Sequence, residues 1–75
     1  MKQQNENKKI VVTLDAGGTN FVFGAICDGR PIGETLTLPS SAHNLDLCLK
    51  TLIQGFEQTI NSLPEPPVAI SFAFP

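Results

Sequence analysis

Five consecutive residues, Asp15-Ala16-Gly17-Gly18-Thr19, carry the chemistry that this 75-residue chain has to offer. Adjacent glycines can take positive φ and turn successive backbone N–H groups toward one point. Such a concavity binds phosphate oxygens, because several donors converge with no side chain in the way. Thr19 adds a hydroxyl at the rim. Asp15, at the carboxyl end of an apolar run, is placed to hold Mg²⁺ through its water shell, since magnesium keeps several waters and takes few carboxylates. Phosphate, metal and bare backbone together point to a nucleotide. The competing reading is a plain hairpin turn in which Asp15 accepts hydrogen bonds from nearby amides.

Two familiar glycine loops are excluded. A P-loop needs GxxxxGK[ST], and no lysine follows these glycines; a dinucleotide fingerprint needs GxGxxG running into a helix. Here the glycines run into Asn20-Phe21-Val22-Phe23-Gly24-Ala25-Ile26, whose aromatic and β-branched content favours a strand. The anion would therefore sit at a hairpin and not at a helix N-terminus.

The surrounding elements follow from pattern. Met1 to Lys9 is polar and without periodicity, so a disordered tail is predicted over residues 1–9. Ile10-Val11-Val12-Thr13-Leu14 is a short, nearly continuous apolar run, which suits a strand covered on both faces. Asp28-Gly29 is a two-residue hairpin signal. Pro31 to Leu38 alternates well enough for a third strand, nearer an edge because of Pro31. Pro39-Ser40-Ser41 ends this meander and offers hydroxyl caps to a helix over Ala42–Ser62. Leu45, Leu49, Leu52, Phe56, Ile60 and Leu63 recur at steps of three and four and define its predicted inner face. Leu63-Pro64-Glu65-Pro66-Pro67 stops that helix, and Val68 to Phe74 reads as a fourth strand.

The order β-β-β-α-β predicts an α/β fold, a mixed sheet with one helix on it, and lets the fourth strand run parallel to the first. Strands at Ile10–Leu14 and Val68–Phe74 that look buried on both faces require cover on the second face. The chain is accordingly read as a segment of a longer protein, too small to catalyse on its own.

Composition bounds the partners. Apolar residues make up 41% of the chain, enough for a globular core, and the net charge of −2 leaves no footprint for nucleic acid or an anionic membrane. No apolar stretch approaches the roughly 20 residues of a membrane span, and the basic start is followed by no signal-peptide apolar region. Cys27 and Cys48 have no metal-ligand spacing and read as ordinary buried thiols in a reducing compartment. His43 has no placed partner; Asp28 suits its turn, Asp46 the helix N-terminus and Glu34 an exposed strand face.

Leu14-Asp15-Ala16-Gly17-Gly18-Thr19-Asn20-Phe21 resembles the first phosphate motif of sugar kinases in the actin and hexokinase superfamily. The compact hairpins look most like the ROK family (repressors, open reading frames and kinases), over residues 10–75 and in order. Ser71-Phe72-Ala73-Phe74-Pro75 is similar to the strand before that family's second glycine turn. The resemblance implies the N-terminal lobe of a ribonuclease H-like, actin-like ATPase fold, incomplete here, and a parent that phosphorylates a hexose or amino sugar with ATP and Mg²⁺. It implies that Asp15 faces the Mg²⁺, that Gly17, Gly18 and Thr19 cradle the ATP phosphates, and that Asn20 supports the turn. The family's catalytic aspartate, most sugar contacts and the zinc motif of many members would lie on later segments. Ala16 departs from the usual larger aliphatic residue, and Val22 from the arginine of larger hexokinases. Sugar and ATP are the expected partners, in a cytoplasmic homo-oligomer without nucleic acid or membrane. Three alternatives stay open: a ROK-type sugar-responsive regulator, although only nine polar residues precede the first strand; a non-sugar ATP-binding member of the superfamily; and a non-catalytic remnant or interaction module.

Overall fold

The structure, a computed structural model, describes residues 9–73. The predicted tail lies outside the described residues except for Lys9, which is exposed, and so do Phe74 and Pro75. The elements are β1 (Ile10–Ala16), β2 (Asn20–Cys27), β3 (Arg30–Pro39), α1 (Leu45–Asn61) and β4 (Ala69–Ala73). They form one sheet of order β3-β2-β1-β4. β1, β2 and β3 are an antiparallel meander, and β4 returns parallel to β1 with Val11 opposite Ala69 and Asp15 opposite Ala73.

Turn chemistry sets the register. Asp28 (φ 54°) and Gly29 (φ 80°) both lie in the left-handed region, as a two-residue type I′ hairpin requires. The β2–β3 register then shifts between Phe23 and Ala25. Gly33, with φ 68°, sits in that irregularity, where a glycine relieves the bulged strand. β3 forms one edge of the sheet, where Pro31 leaves no inner ladder without a donor.

The core lies between the sheet and α1. Ile10, Val12, Leu14 and Ala16 of β1 and Phe21, Phe23 and Ala25 of β2 are buried, the alternation that a strand's two-residue period gives to one face. Cys48, Leu52 and Phe56 of α1, with Leu36 and Leu38 of β3, pack against Leu14, Ala16, Phe21 and Phe23. Phe23 meets Phe21 and Phe56 edge to face at centroid distances of 6.3 and 5.2 Å, a favoured aromatic arrangement.

Several expectations need correction. The predicted inner face of α1 is met in part: Leu52 and Phe56 pack on the core, but its buried residues are Thr51, Gly55 and Thr59, and Leu45 and Leu49 are exposed. A Cβ at Gly55 would run into the Phe23 ring, so small residues let the helix sit close to the sheet and leave Leu45 and Leu49 at its flank. The helix begins at Leu45, with Asn44 as its N-cap accepting from the Leu47 N–H at 3.1 Å; Ser40 and Ser41 do not cap it. β1 is not buried on both faces: Val11 and Thr13 are half-buried and Asp15 is exposed. β4 is exposed throughout, because α1 lies over β1, β2 and β3 and leaves the β4 edge uncovered. Phe72 still meets α1, with its ring 6.0 Å from that of Phe56. The two cysteines are free thiols and half-buried instead of buried.

Candidate phosphate-binding turn

Alternation along β1 places Asp15 on the sheet face away from α1, at the strand's carboxyl end. Its neighbour across the parallel pairing is Ala73, at the carboxyl end of β4. In open α/β sheets, ligands bind outside the carboxyl ends of parallel strands. Asp15 is exposed, and no described side chain bonds it.

The turn from β1 to β2 holds the predicted residues together. The Gly17 N–H donates to the Asn20 carbonyl at 3.0 Å and closes the turn. The N–H groups of Gly18 and Thr19 have no acceptor among the described residues. Asn20 Nδ2 donates to Thr19 Oγ1 at 3.4 Å, steadying that hydroxyl. One mechanism proposed from sequence is corrected: neither Gly17 nor Gly18 has positive φ, which falls instead at Gly29 and Gly33. The backbone here does not need glycine to make its turn.

Packing does not need it either. A Cβ at Gly18 would meet nothing within 4 Å, and one at Gly17 would lie 3.5 Å from the Asn20 carbonyl oxygen, an ordinary contact. Two adjacent glycines that neither conformation nor packing demands leave bare backbone facing open space. Side chains there would fill the space an approaching anion needs, so the residues present fit a phosphate group.

Ser40 belongs to this site although the sequence did not mark it. Its N–H donates to the Thr19 carbonyl at 2.9 Å, and its hydroxyl donates to the Gly18 carbonyl at 3.3 Å. No local pattern announces these bonds, because the partners lie 22 and 21 positions away. An open cleft of about 320 Å³ beside the turn has Gly18, Thr19, Ser40, Ser41 and His43 among its walls. His43, which had no partner in the sequence, thus comes beside the turn. A second cavity of about 310 Å³ lies at the opposite end of the sheet, between Ile10, Ala25, Ile32 and Leu63, and holds none of the predicted residues.

Among the described residues no three His, Cys, Asp or Glu side chains gather as a metal-binding cluster. A magnesium ion carried by nucleotide phosphates asks for no such cluster, since one or two carboxylates suffice. No described helix is long and apolar enough to cross a membrane.

No family model matches the chain, and no curated protein does. Among solved structures, the chain is similar to a glucokinase from Parabacteroides distasonis, at 56% identity and a TM-score of 0.86. That likeness covers 93% of this chain and 20% of the glucokinase, so the chain spans about a fifth of that protein's length. The resemblance to sugar kinases read from Leu14 to Phe21 is thereby met by a sugar kinase of known structure. The mixed sheet of order β3-β2-β1-β4 with its single helix matches an N-terminal piece of the actin-like ATPase fold.

Proposed function

We propose that residues 10–75 form the N-terminal part of the first lobe of a ROK-type, ATP-dependent sugar kinase, and that they supply its first phosphate-binding turn. The observation that carries this reading is the pair Gly17-Gly18, bare of side chains for no reason internal to the fold, next to the exposed carboxylate of Asp15. The 56% identity to a glucokinase supports the same reaction class. The substrate of the parent enzyme is a hexose or amino sugar.

When bound, Mg²⁺-ATP supplies the phosphoryl group and the metal charge that neutralises it. This chain's residues bind and orient. The N–H groups of Gly18 and Thr19 and the Thr19 hydroxyl donate to phosphate oxygens, and the Asp15 carboxylate holds the water shell of the ion. Gly17 contributes by closing the turn, and Asn20 by steadying Thr19. Phosphoryl transfer depends on positioning and charge neutralisation more than on covalent chemistry, so these groups form one side of the clamp. The base that takes the proton from the sugar hydroxyl belongs to another segment of the parent, as do any zinc ligands. Free, unpaired Cys27 and Cys48 suit the reducing cytoplasm, where ATP is made and used. The parent is a homo-oligomer with no nucleic-acid or membrane partner.

The test uses the full-length polypeptide encoded with this segment, assayed for ADP release with ATP, Mg²⁺ and a panel of hexoses and amino sugars. One sugar should support turnover, and Asp15→Ala should lower kcat by roughly 10²- to 10³-fold, the scale of losing one preorganised electrostatic group. No ADP with any sugar would overturn the reading.

A further inference from the structure

Ser40 lies outside the glycine motif and is buried at 3% exposure, yet it holds two successive carbonyls of the turn. Its hydroxyl donates to the Gly18 carbonyl and its N–H to the Thr19 carbonyl. All described peptide bonds are trans. In a planar trans peptide the C=O and the N–H of one unit point in opposite directions. A bond that fixes the Gly18 carbonyl therefore also fixes the direction of the Thr19 N–H, and a bond to the Thr19 carbonyl fixes that of the Asn20 N–H. The loop beyond is bent to make this possible. Ser41 has φ 52°, a region that residues with a Cβ seldom adopt, and the Asn44 N–H closes the bend on the Ser41 carbonyl at 3.0 Å. Strained loop residues that surrounding bonds hold in place cluster at binding sites.

We propose that Ser40 is a positioning residue of the phosphate turn: it anchors the carbonyls of Gly18 and Thr19 to the β3–α1 loop and, through the Gly18 carbonyl, aims the Thr19 amide at the anion. The inference rests on the kinase reading above and adds to it a residue from a different loop. Its chemistry is hydrogen bonding alone; no proton leaves Ser40.

Ser40→Ala in the full-length polypeptide removes the hydroxyl and keeps the backbone bond. The KM for Mg²⁺-ATP should rise about three- to tenfold, the scale of one hydrogen bond, with the sugar KM unchanged, and Ser40→Thr should restore it. Ser40→Cys keeps the side chain's shape and weakens only the donor; it should show a smaller rise, and it stands in if the alanine variant does not fold. A lowered melting temperature with both KM values at wild-type level, in either variant, would overturn the inference and leave the kinase reading standing. A wild-type polypeptide without ATP-dependent turnover would sink both.

Discussion

At the scale of single residues, what a glycine permits and what it is used for come apart. Gly18 has neither a left-handed φ nor a neighbour that a Cβ would strike. Gly18→Ala should therefore leave the melting temperature of the full-length protein unchanged or slightly raised, within about 0.5 kcal/mol. The same change should lower kcat/KM for Mg²⁺-ATP by roughly a hundredfold, because a displaced phosphate loses alignment with its acceptor. Wild-type kinetics in that variant would leave the glycine pair without a ligand to explain it. The sequence made Asp15, the glycines, Thr19 and Asn20 readable as one group, since neighbours along a tight turn stay neighbours in space. It did not disclose the φ values, because the residue type says only which angles are open to it. Ser40 was hidden for a different reason: its bonds reach to a distant part of the chain, and serines after a proline look like helix caps. That role went to Asn44.

Among elements, hairpins were legible and helix orientation only in part. Asp28-Gly29 fixes a turn whose two positive φ values few other pairs adopt, and the three-strand meander follows from it. The existence of α1 followed from its periodicity, and so did the packing of Leu52 and Phe56, but the residues it buries deepest did not. Leucines at Leu45 and Leu49 announce an apolar flank, while the closest approach to the sheet is made where side chains are small, at Gly55 between Thr51 and Thr59. Gly55→Ala tests this seat. The added methyl has no room beside the Phe23 ring, so a thermal melt should show destabilisation of about 1–3 kcal/mol, typical of overpacking. An unchanged or raised melting temperature, as helix propensity alone predicts for alanine over glycine, would mean that α1 does not rest on Phe23.

For the molecule as a whole, the two faces of the sheet differ in kind. One is covered by α1 over β1, β2 and β3, with Phe23 and Val12 fully buried. The other carries half-buried Val11, Val22 and Ile26 beside Thr13, Gly24 and Ser71, and the β4 edge exposes Val68, Ile70 and Phe72. The sequence overstated the burial of β4 because an apolar run records what a strand can bury and not which neighbours it has. Exposed apolar edges associate, so the 75-residue chain by itself should sediment with a concentration-dependent mass. Ile70→Lys should shift that balance toward monomer; sedimentation as monomer at every concentration in the unsubstituted chain would contradict the exposure described here. The pairing of β4 with β1 also sets an order of events in time. β1 can join β2 and β3 through short turns as soon as these emerge from the ribosome, but its remaining edge is satisfied only by β4, which follows the whole of α1. Contacts between distant parts of a chain form slowly because a large loop must close first. During synthesis β1 therefore waits with its outer edge unpaired, in the interval when a chaperone or a neighbouring nascent chain can reach it.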